Sequence, residues 1–521
     1  MMHEREKSDP PIVPEKPTNK AERSVHAEHG DAEAAEPVEG SGGAKRNASQ
    51  HRTVRAQSRD AVSQAQARIR EAVARNPTGR LTTLLHHITV DSLRSAFLNL
   101  KKAAAVGVDQ VTWGDYARDL DRNLTDLAAR VHRGAYRALP SRRVFIPKAD
   151  GKLRPLGIAA IEDKIVQAAV VMILTPVYEA EFLGLSYGFR PGRGQHDALD
   201  ALTVGIKSRN VQWVLDADIA KFFDTISHDW LVKFVAYRIG DTRIVRLIQK
   251  WLKVGVLEDG VWIASEEGTP QGAVISPLLA NIYLHYVYDL WANQWRQRHA
   301  TGNVIFVRYA DDTVAGFEHR HDAERFLADL RQRLAQFALA LHPEKTRLIE
   351  FGRHAAEHRA GRGDGKPDTF DFLGFTHICG RTRDGKGFQL WRKTARKRMK
   401  ARIRAIKDEL RRRMHTPQAE QGKWLGSVVR GFFAYHAVPN NFASISALRY
   451  HVVVAWVRTL RRRSQRSTLT WERMQVHLER YIPKARVLHP WPEARFRVRH
   501  SRWEPGALAA PAGICAGGGQ Q

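Results

Sequence analysis

Three aspartates have the residue type and setting for metal-assisted chemistry. Asp218 closes the apolar run WVLDADI (213–219), which has strand character, and Asp311 and Asp312 adjoin each other in FVRYADD between two apolar runs. Neighbouring residues of a regular strand point to opposite faces, so both carboxylates can approach one site only where the backbone turns. A hairpin over 303–317 supplies that turn. A buried carboxylate is costly when unpaired, and three converging would repel unless a divalent cation offset their charge. Hard oxygen donors suit magnesium, with substrate phosphates completing its shell. Two such ions ~3.5–4 Å apart would activate an attacking 3′-hydroxyl and stabilise a leaving pyrophosphate. The competing assignment is three surface or helix-capping aspartates, which suits Asp218 taken alone and fits the joint pattern poorly.

The elements that must position these groups follow from periodicity and turn residues. Residues 1–60 are rich in Ala, Glu, Pro, Gly and Ser and predict a disordered leader, with order beginning in a helix at Ala61–Arg75. Residues 141–158 alternate and turn at Asp150-Gly151, predicting a hairpin with Lys148, Lys152 and Arg154 near its tip. Helices are expected at 162–182, from the loop YGFRPGRGQ to Ile206, and at 278–299. A short hairpin is expected around Glu258-Asp259-Gly260, with further strands at LIEFG and FDFLGF. Arg and Lys become dense on a helical background from 391, which sets a domain boundary near Gly387. The organisation read this way is a leader (1–60), a catalytic body (61–387), a basic helical region (388–500) and a flexible tail (501–521).

Composition narrows the partners. The 521 residues carry 83 Lys+Arg against 55 Asp+Glu, a formal charge of +28, which predicts a polyanionic partner whose condensed counterions are released on binding. Two cysteines, Cys379 and Cys515, cannot build a disulfide framework or paired zinc clusters. No metalloprotease HExxH, P-loop or GxSxG elbow is present. No apolar run of ~18 residues predicts a membrane span, and no signal pattern opens the chain, so the expected compartment is the cytosol.

The motifs resemble those of group II intron-encoded reverse transcriptases. YADD (309–312) is similar to their YxDD signature, and Asp218 matches their first metal-binding carboxylate. Collinear with these are IPKADGKLRPLGI (146–158), LDADIAKFFDTISH (215–228), GTPQGAVISPLLANIYL (268–284), LALHPEKTRLIEFG (339–352) and FDFLGF (370–375). The resemblance implies an α+β right-hand polymerase: fingers, a palm whose antiparallel sheet bears the carboxylates, a helical thumb, and a helical maturase-like C-terminal region. It implies two magnesium ions on Asp218, Asp311 and Asp312. It makes Phe223 the gate against a ribose 2′-hydroxyl, sets Gln271 and Gly272 against the incoming nucleotide, gives Lys148 and Arg154 to its triphosphate, and matches Lys345 to a nucleotide-binding lysine of the palm.

GVDQVT, YGFRPGRGQHDAL (187–199) and GFFAYHAVPNN (431–441) resemble the intron-specific blocks. They imply intron RNA as template and splicing partner, a DNA primer or target, and deoxynucleoside triphosphates. Arg392, Lys393, Arg396, Lys397, Arg461, Arg462 and Arg463 would then contact RNA phosphates. Trp424, Phe432, Phe433, Tyr435 and Trp456 suit either base stacking or, for most of them, core filling. The family's Cys-rich endonuclease domain is not expected here. Two other readings stay open: a reverse transcriptase of different biology, such as a retron, and a non-catalytic splicing factor on the same fold.

Overall fold

The computed structural model describes residues 42–147, 153–463 and 469–499. In chain order the strands are β1 (Ser141–Pro147), β2 (Leu153–Ile158), β3 (Trp213–Ala217), β4 (Val256–Glu258) and β5 (Val261–Ile263). They continue as β6 (Val304–Tyr309), β7 (Asp312–Phe317), β8 (Arg347–Glu350), β9 (Phe370–Phe372), β10 (Phe375–Arg381) and β11 (Phe388–Thr394). Three sheets result among the described residues, ordered β2-β1-β4-β5, β6-β7-β3-β8 and β11-β10-β9. The class is mixed helix and sheet, and the pairing is antiparallel except between β1 and β4. The expected hairpin at 141–158 is β1–β2; its turn, with Lys148 and Lys152, lies outside the described residues.

The sheet β6-β7-β3-β8 is covered on both sides, which explains its near-continuous apolar strands. Alternate residues take alternate faces. Leu215, Phe306, Ala315 and Phe317 join a core with Phe326, Leu330 and Leu334 of the helix Arg320–Ala335. Val214, Ile305, Val307 and Val314 face the opposite core, formed with Ala198, Leu199 and Leu202 of the helix Gln195–Ser208. A third core gathers Ile406, Leu425, Val429, Phe432, Phe433, Leu448, Val452 and Trp456 from the basic C-terminal helices. Phe432, Phe433 and Trp456 therefore fill the core, and the Trp456 indole donates to Gln421 Oε1 at 3.0 Å.

Four expectations change. The first helix is Gly42–Arg75, so it overlaps the leader expected over 1–60. Its second half is anchored by Ile69 and Val73 in the core and by Gln66, which donates to Met172 O at 3.0 Å. Once a turn is nucleated there, propagation toward the N-terminus adds one hydrogen bond per residue. The helix expected over 278–299 is broken by a π-helical turn, His285–Asp289, between Ser276–Leu284 and Leu290–His299.

The boundary near Gly387 falls in the turn joining β10 to β11, and the basic helix starts at Arg396. The rise in Arg and Lys content precedes the structural seam because Arg392 and Lys393 belong to the strand. Finally, the region 388–500 is not a separate body. The helix Pro492–Arg499 packs on Gln195–Ser208, with Phe496 in the second core.

Candidate active site

The last rung of the β6–β7 hairpin pairs Tyr309 with Asp312 and leaves Ala310-Asp311 as a two-residue turn. Ala310 has φ +58°, the sign required at the first position of a type II′ turn and usually supplied by glycine. Such a conformation at a non-glycine residue is strained, and its surroundings must hold it. Beside this hairpin, β3 ends on the rung Ala217–Thr313. One further step of the antiparallel register sets Asp218 beside Asp312. Asp218 is tied from the other side as well: its carbonyl accepts from His342 N at 2.7 Å and its Oδ2 from Lys345 Nζ at 2.6 Å.

Burial and neighbouring acidic charge shift the two carboxylates of the hairpin. Asp312 is open at its own surface but stands on the floor of a cleft. Desolvation there, then the charges of Asp311 and Asp218, lift it to about 6 against the pull of Arg398 and Lys345. Asp311 is also raised, by desolvation first and then by Asp218, while Arg154 opposes the shift. Asp216, two residues before Asp218 on β3, is raised to about 7, chiefly by burial; Arg347 opposes this, and Asp312, Asp218 and Asp371 add to it. Asp216 was missed in the sequence, although a period of two sets it on the same strand face as Asp218. The cleft, of about 420 Å³, is lined by Phe189, Tyr309, Asp311, Asp312, Arg398 and Tyr435 among others.

A divalent cation fits this donor set by chemistry, since all the donors are carboxylate oxygens whose mutual repulsion it would relieve. Among the described residues no group of three or more His, Cys, Asp or Glu side chains is placed to hold a metal ion. Lys345 takes part of that counter-ion role at Asp218.

Next to the carboxylates lies a second cluster. The short helix Phe222–Thr225 carries Phe223, half-buried, with its ring 5.3 Å from that of Phe222. The loop GTPQG hangs on this helix through Thr269 N to Phe223 O and Gly268 N to Ile226 O, both 2.8 Å. Its other side is held to β2, where Gly157 N donates to Gln271 O at 2.7 Å. Gly272 has φ +107°, and a Cβ there would stand 2.9 Å from Gly157 O, so both conformation and space require glycine. The Gln271 side chain donates to Asp224 Oδ1 at 2.9 Å. The structure thus joins Phe223, Gln271 and Gly272 into one backbone-bonded unit beside β2, and it adds Asp224. Arg154, exposed on β2, is close enough for its charge to act on Asp311. Lys148 lies outside the described residues.

Comparison with known proteins gives the family. The family model described as Reverse transcriptase (RNA-dependent DNA polymerase) matches residues 146–377, a span that contains every carboxylate above. Protein YkfC of Escherichia coli (strain K12) is 36% identical over 288 residues, 49% of this chain and 75% of that protein. Group II intron-encoded protein LtrA of Lactococcus lactis subsp. cremoris is 43% identical over 153 residues, 29% of this chain. The chain belongs to the group II intron reverse transcriptases. A third relative, the Putative COX1/OXI3 intron 2 protein of Saccharomyces cerevisiae, is 33% identical over 186 residues, 35% of this chain. The matches cover 25% of LtrA and 21% of the yeast protein. Family membership makes the chain an RNA-directed DNA polymerase and implies the right-hand polymerase fold. No helix among the described residues is long and apolar enough to cross a membrane.

The basic residues of this reverse transcriptase divide by burial. Arg392 is not available to RNA: it is buried in β11 and paired with Asp200 Oδ1 at 3.0 Å. An arginine in a strand facing a packed helix must find a carboxylate there, and Asp200 also takes Arg495. Lys393 is half-buried and donates to Asn440 O at 2.6 Å. Arg396 and Lys397 are exposed on the first turn of Arg396–Arg412.

Arg398 and Arg402, four apart on that helix, line the cleft with Asp311 and Asp312. They belong to the basic run from Arg392 to Arg413 that the sequence assigns to phosphate contact, without being set apart from it there; their i, i+4 spacing puts both on one face of the helix. Arg461 and Arg462 are exposed, and Arg463 is bonded to Thr416 O; none of the three lines the cleft.

Proposed function

We propose that this reverse transcriptase copies intron RNA into DNA by two-metal nucleotidyl transfer. The observation that carries the proposal is the register that sets Asp218 beside Asp312 where β3 ends next to the β6–β7 turn; burial and the neighbouring acidic charge raise Asp311 and Asp312 there. Two magnesium ions, when bound, supply activation of the primer 3′-hydroxyl and neutralisation of the leaving pyrophosphate. The three aspartates would hold them. In this reading β6-β7-β3-β8 is the palm, β2-β1-β4-β5 belongs to the fingers, and the helices from Arg396 onward form the thumb and maturase-like region.

Each remaining group has a role its chemistry suits. Arg154 and Lys345 present charge to the triphosphate, with Lys148 as a third candidate from the fingers tip. Phe223 would supply the ring that clashes with a ribose 2′-hydroxyl. Gln271 and Gly272 form a wall against the nucleotide. Arg396, Lys397, Arg398 and Arg402 would grip the phosphates of the RNA template and DNA primer. Arg461 and Arg462, together with Lys393 and Arg463, extend the basic surface toward bound intron RNA, whose splicing the protein would assist in the cytoplasm.

Extension of oligo(dT) on poly(rA) should require magnesium and vanish in Asp311→Ala, with RNA affinity largely kept. A wild-type protein that binds RNA and extends nothing would instead favour a non-catalytic splicing factor.

A further inference from the structure

Arg308 is a guanidinium with no exposed surface, in a strand of otherwise apolar buried residues, two positions before the turn residue Ala310. Such a charge is tolerated only when paired and fully hydrogen-bonded. Its Nε and Nη2 form a fork on the carboxylate of Asp289, at 2.7 and 2.5 Å. Nη2 also donates to Ser186 Oγ at 2.8 Å, and Nη1 donates to Asn281 Oδ1 at 3.1 Å. The remaining contact reaches the catalytic hairpin: Nη1 donates to the Ala310 carbonyl at 2.9 Å.

The partners are themselves held. Asp289 is the last residue of the π-helical turn that interrupts the helix Ser276–Leu284, and a π turn shifts the register of the residues that follow it. Asn281 donates from Nδ2 to Gly188 O at 2.7 Å. Gly188 lies so close to the hairpin that a Cβ there would stand 2.3 Å from Ala310 N. Backbone bonds from Arg308 N to Leu185 O and from Tyr187 N to Arg308 O, both 2.9 Å, fasten the strand to the same segment.

We propose that Arg308 is a positioning residue for nucleotidyl transfer: braced by Asp289 and Asn281, it holds the Ala310 carbonyl and so sets the aim of Asp311 and Asp312. The inference rests on the polymerase reading given above. A two-residue turn with alanine at positive φ has competing conformations of similar energy, and one donor fixed on its carbonyl selects among them. Asp289 could not do this directly, because a carboxylate offers that carbonyl no proton.

The discriminating variant removes both charges, Arg308→Met with Asp289→Leu. Replacing a buried ion pair by apolar side chains is often near neutral, but Ser186 Oγ, Asn281 Oδ1 and Ala310 O each lose a donor here, so this protein should melt below wild type yet stay folded and bind template–primer equally well. A role confined to packing would leave it active. Positioning predicts instead a kcat roughly 10- to 100-fold below wild type with KM for deoxynucleotide within about twofold, the scale on which small misplacements act.

Arg308→Lys gives a second reading, since it keeps a cation against Asp289 but gives up the fork that also reaches Ala310. It should show the same split between kcat and KM. A folded variant of either kind with wild-type kcat, or a loss carried by KM or by RNA affinity, would overturn the positioning role alone. A wild-type enzyme with no extension at all would overturn the polymerase reading, and this inference with it.

Discussion

Lys345 Nζ lies 2.6 Å from Asp218 Oδ2, an ion pair that joins residues 127 positions apart at the mouth of the candidate site. The lysine side chain is 62% exposed, so the pair contributes little to folding, on the order of 0–1 kcal/mol. Under the proposed function its value lies in placing a cation beside a metal-holding carboxylate and the incoming triphosphate.

Lys345→Met should therefore leave the melting temperature within a few degrees of wild type. Single-nucleotide extension should slow by about tenfold or more, as one charge-assisted contact is lost. Thermal melts and rapid-quench kinetics on the same preparation check both halves. A large drop in melting temperature with unchanged chemistry would assign Lys345 to structure instead.

Phe223→Ala should relax sugar selection. Removing a ring that excludes a hydroxyl by contact changes discrimination by about 10- to 100-fold, the range set by steric pockets. The ratio of kcat/KM for ribo- and deoxynucleotides is the measurement. The backbone bond from Thr269 N to Phe223 O survives this substitution, so the GTPQG loop should stay in place.

Asp200 and Arg392 make a contrasting prediction. Asp200→Asn leaves Arg392 and Arg495 facing a neutral amide in a buried setting, and the loss should be about 3–5 kcal/mol in denaturant unfolding. The salt dependence of RNA affinity should be unchanged in Arg392→Met, yet Arg396→Met and Lys397→Met should each reduce the slope by about one. A reduced slope in Arg392→Met would return that residue to the RNA surface.

His377 gives a pH prediction. It is fully buried, with its ring stacked 4.7 Å from Phe370, and burial followed by the charge of Arg392 lowers its pKa to about 3. Because the folded value lies below the unfolded one of 6.5, the unfolded chain binds the extra proton between pH 6.5 and 3, and acidification through that window costs stability. Asp163, raised to about 6, acts in the opposite sense, so the clean readout is a comparison of variants. Between pH 7 and 5, His377→Phe should lose about 2 kcal/mol less stability than wild type. Equal losses would show that the ring is already charged or exposed.

Much of the site was legible because it is encoded locally. The apolar run WVLDADI and the acidic turn of FVRYADD name the three aspartates and the hairpin that presents two of them. Phe223, Gln271 and Gly272 were named by motif, and the structure shows them bonded into one unit. Arg392 misled because a basic residue in β11 looks the same in sequence as one on the helix that starts at Arg396. Its partner Asp200 lies 192 residues earlier. The extension of the first helix to Gly42 was hidden for a similar reason: its anchor is a core made by later segments.

Residue type, period and turn chemistry, all short-range properties, were sufficient to predict the strands and to single out the three candidate carboxylates beside them. The tertiary structure decided which guanidiniums are buried and which face the cleft. It also paired Lys345 with Asp218 and braced Ala310 through Arg308. Pairings of this kind depend on which distant carboxylate or carbonyl arrives within about 3 Å in a desolvated space, and nothing in the local pattern of a charged residue records that.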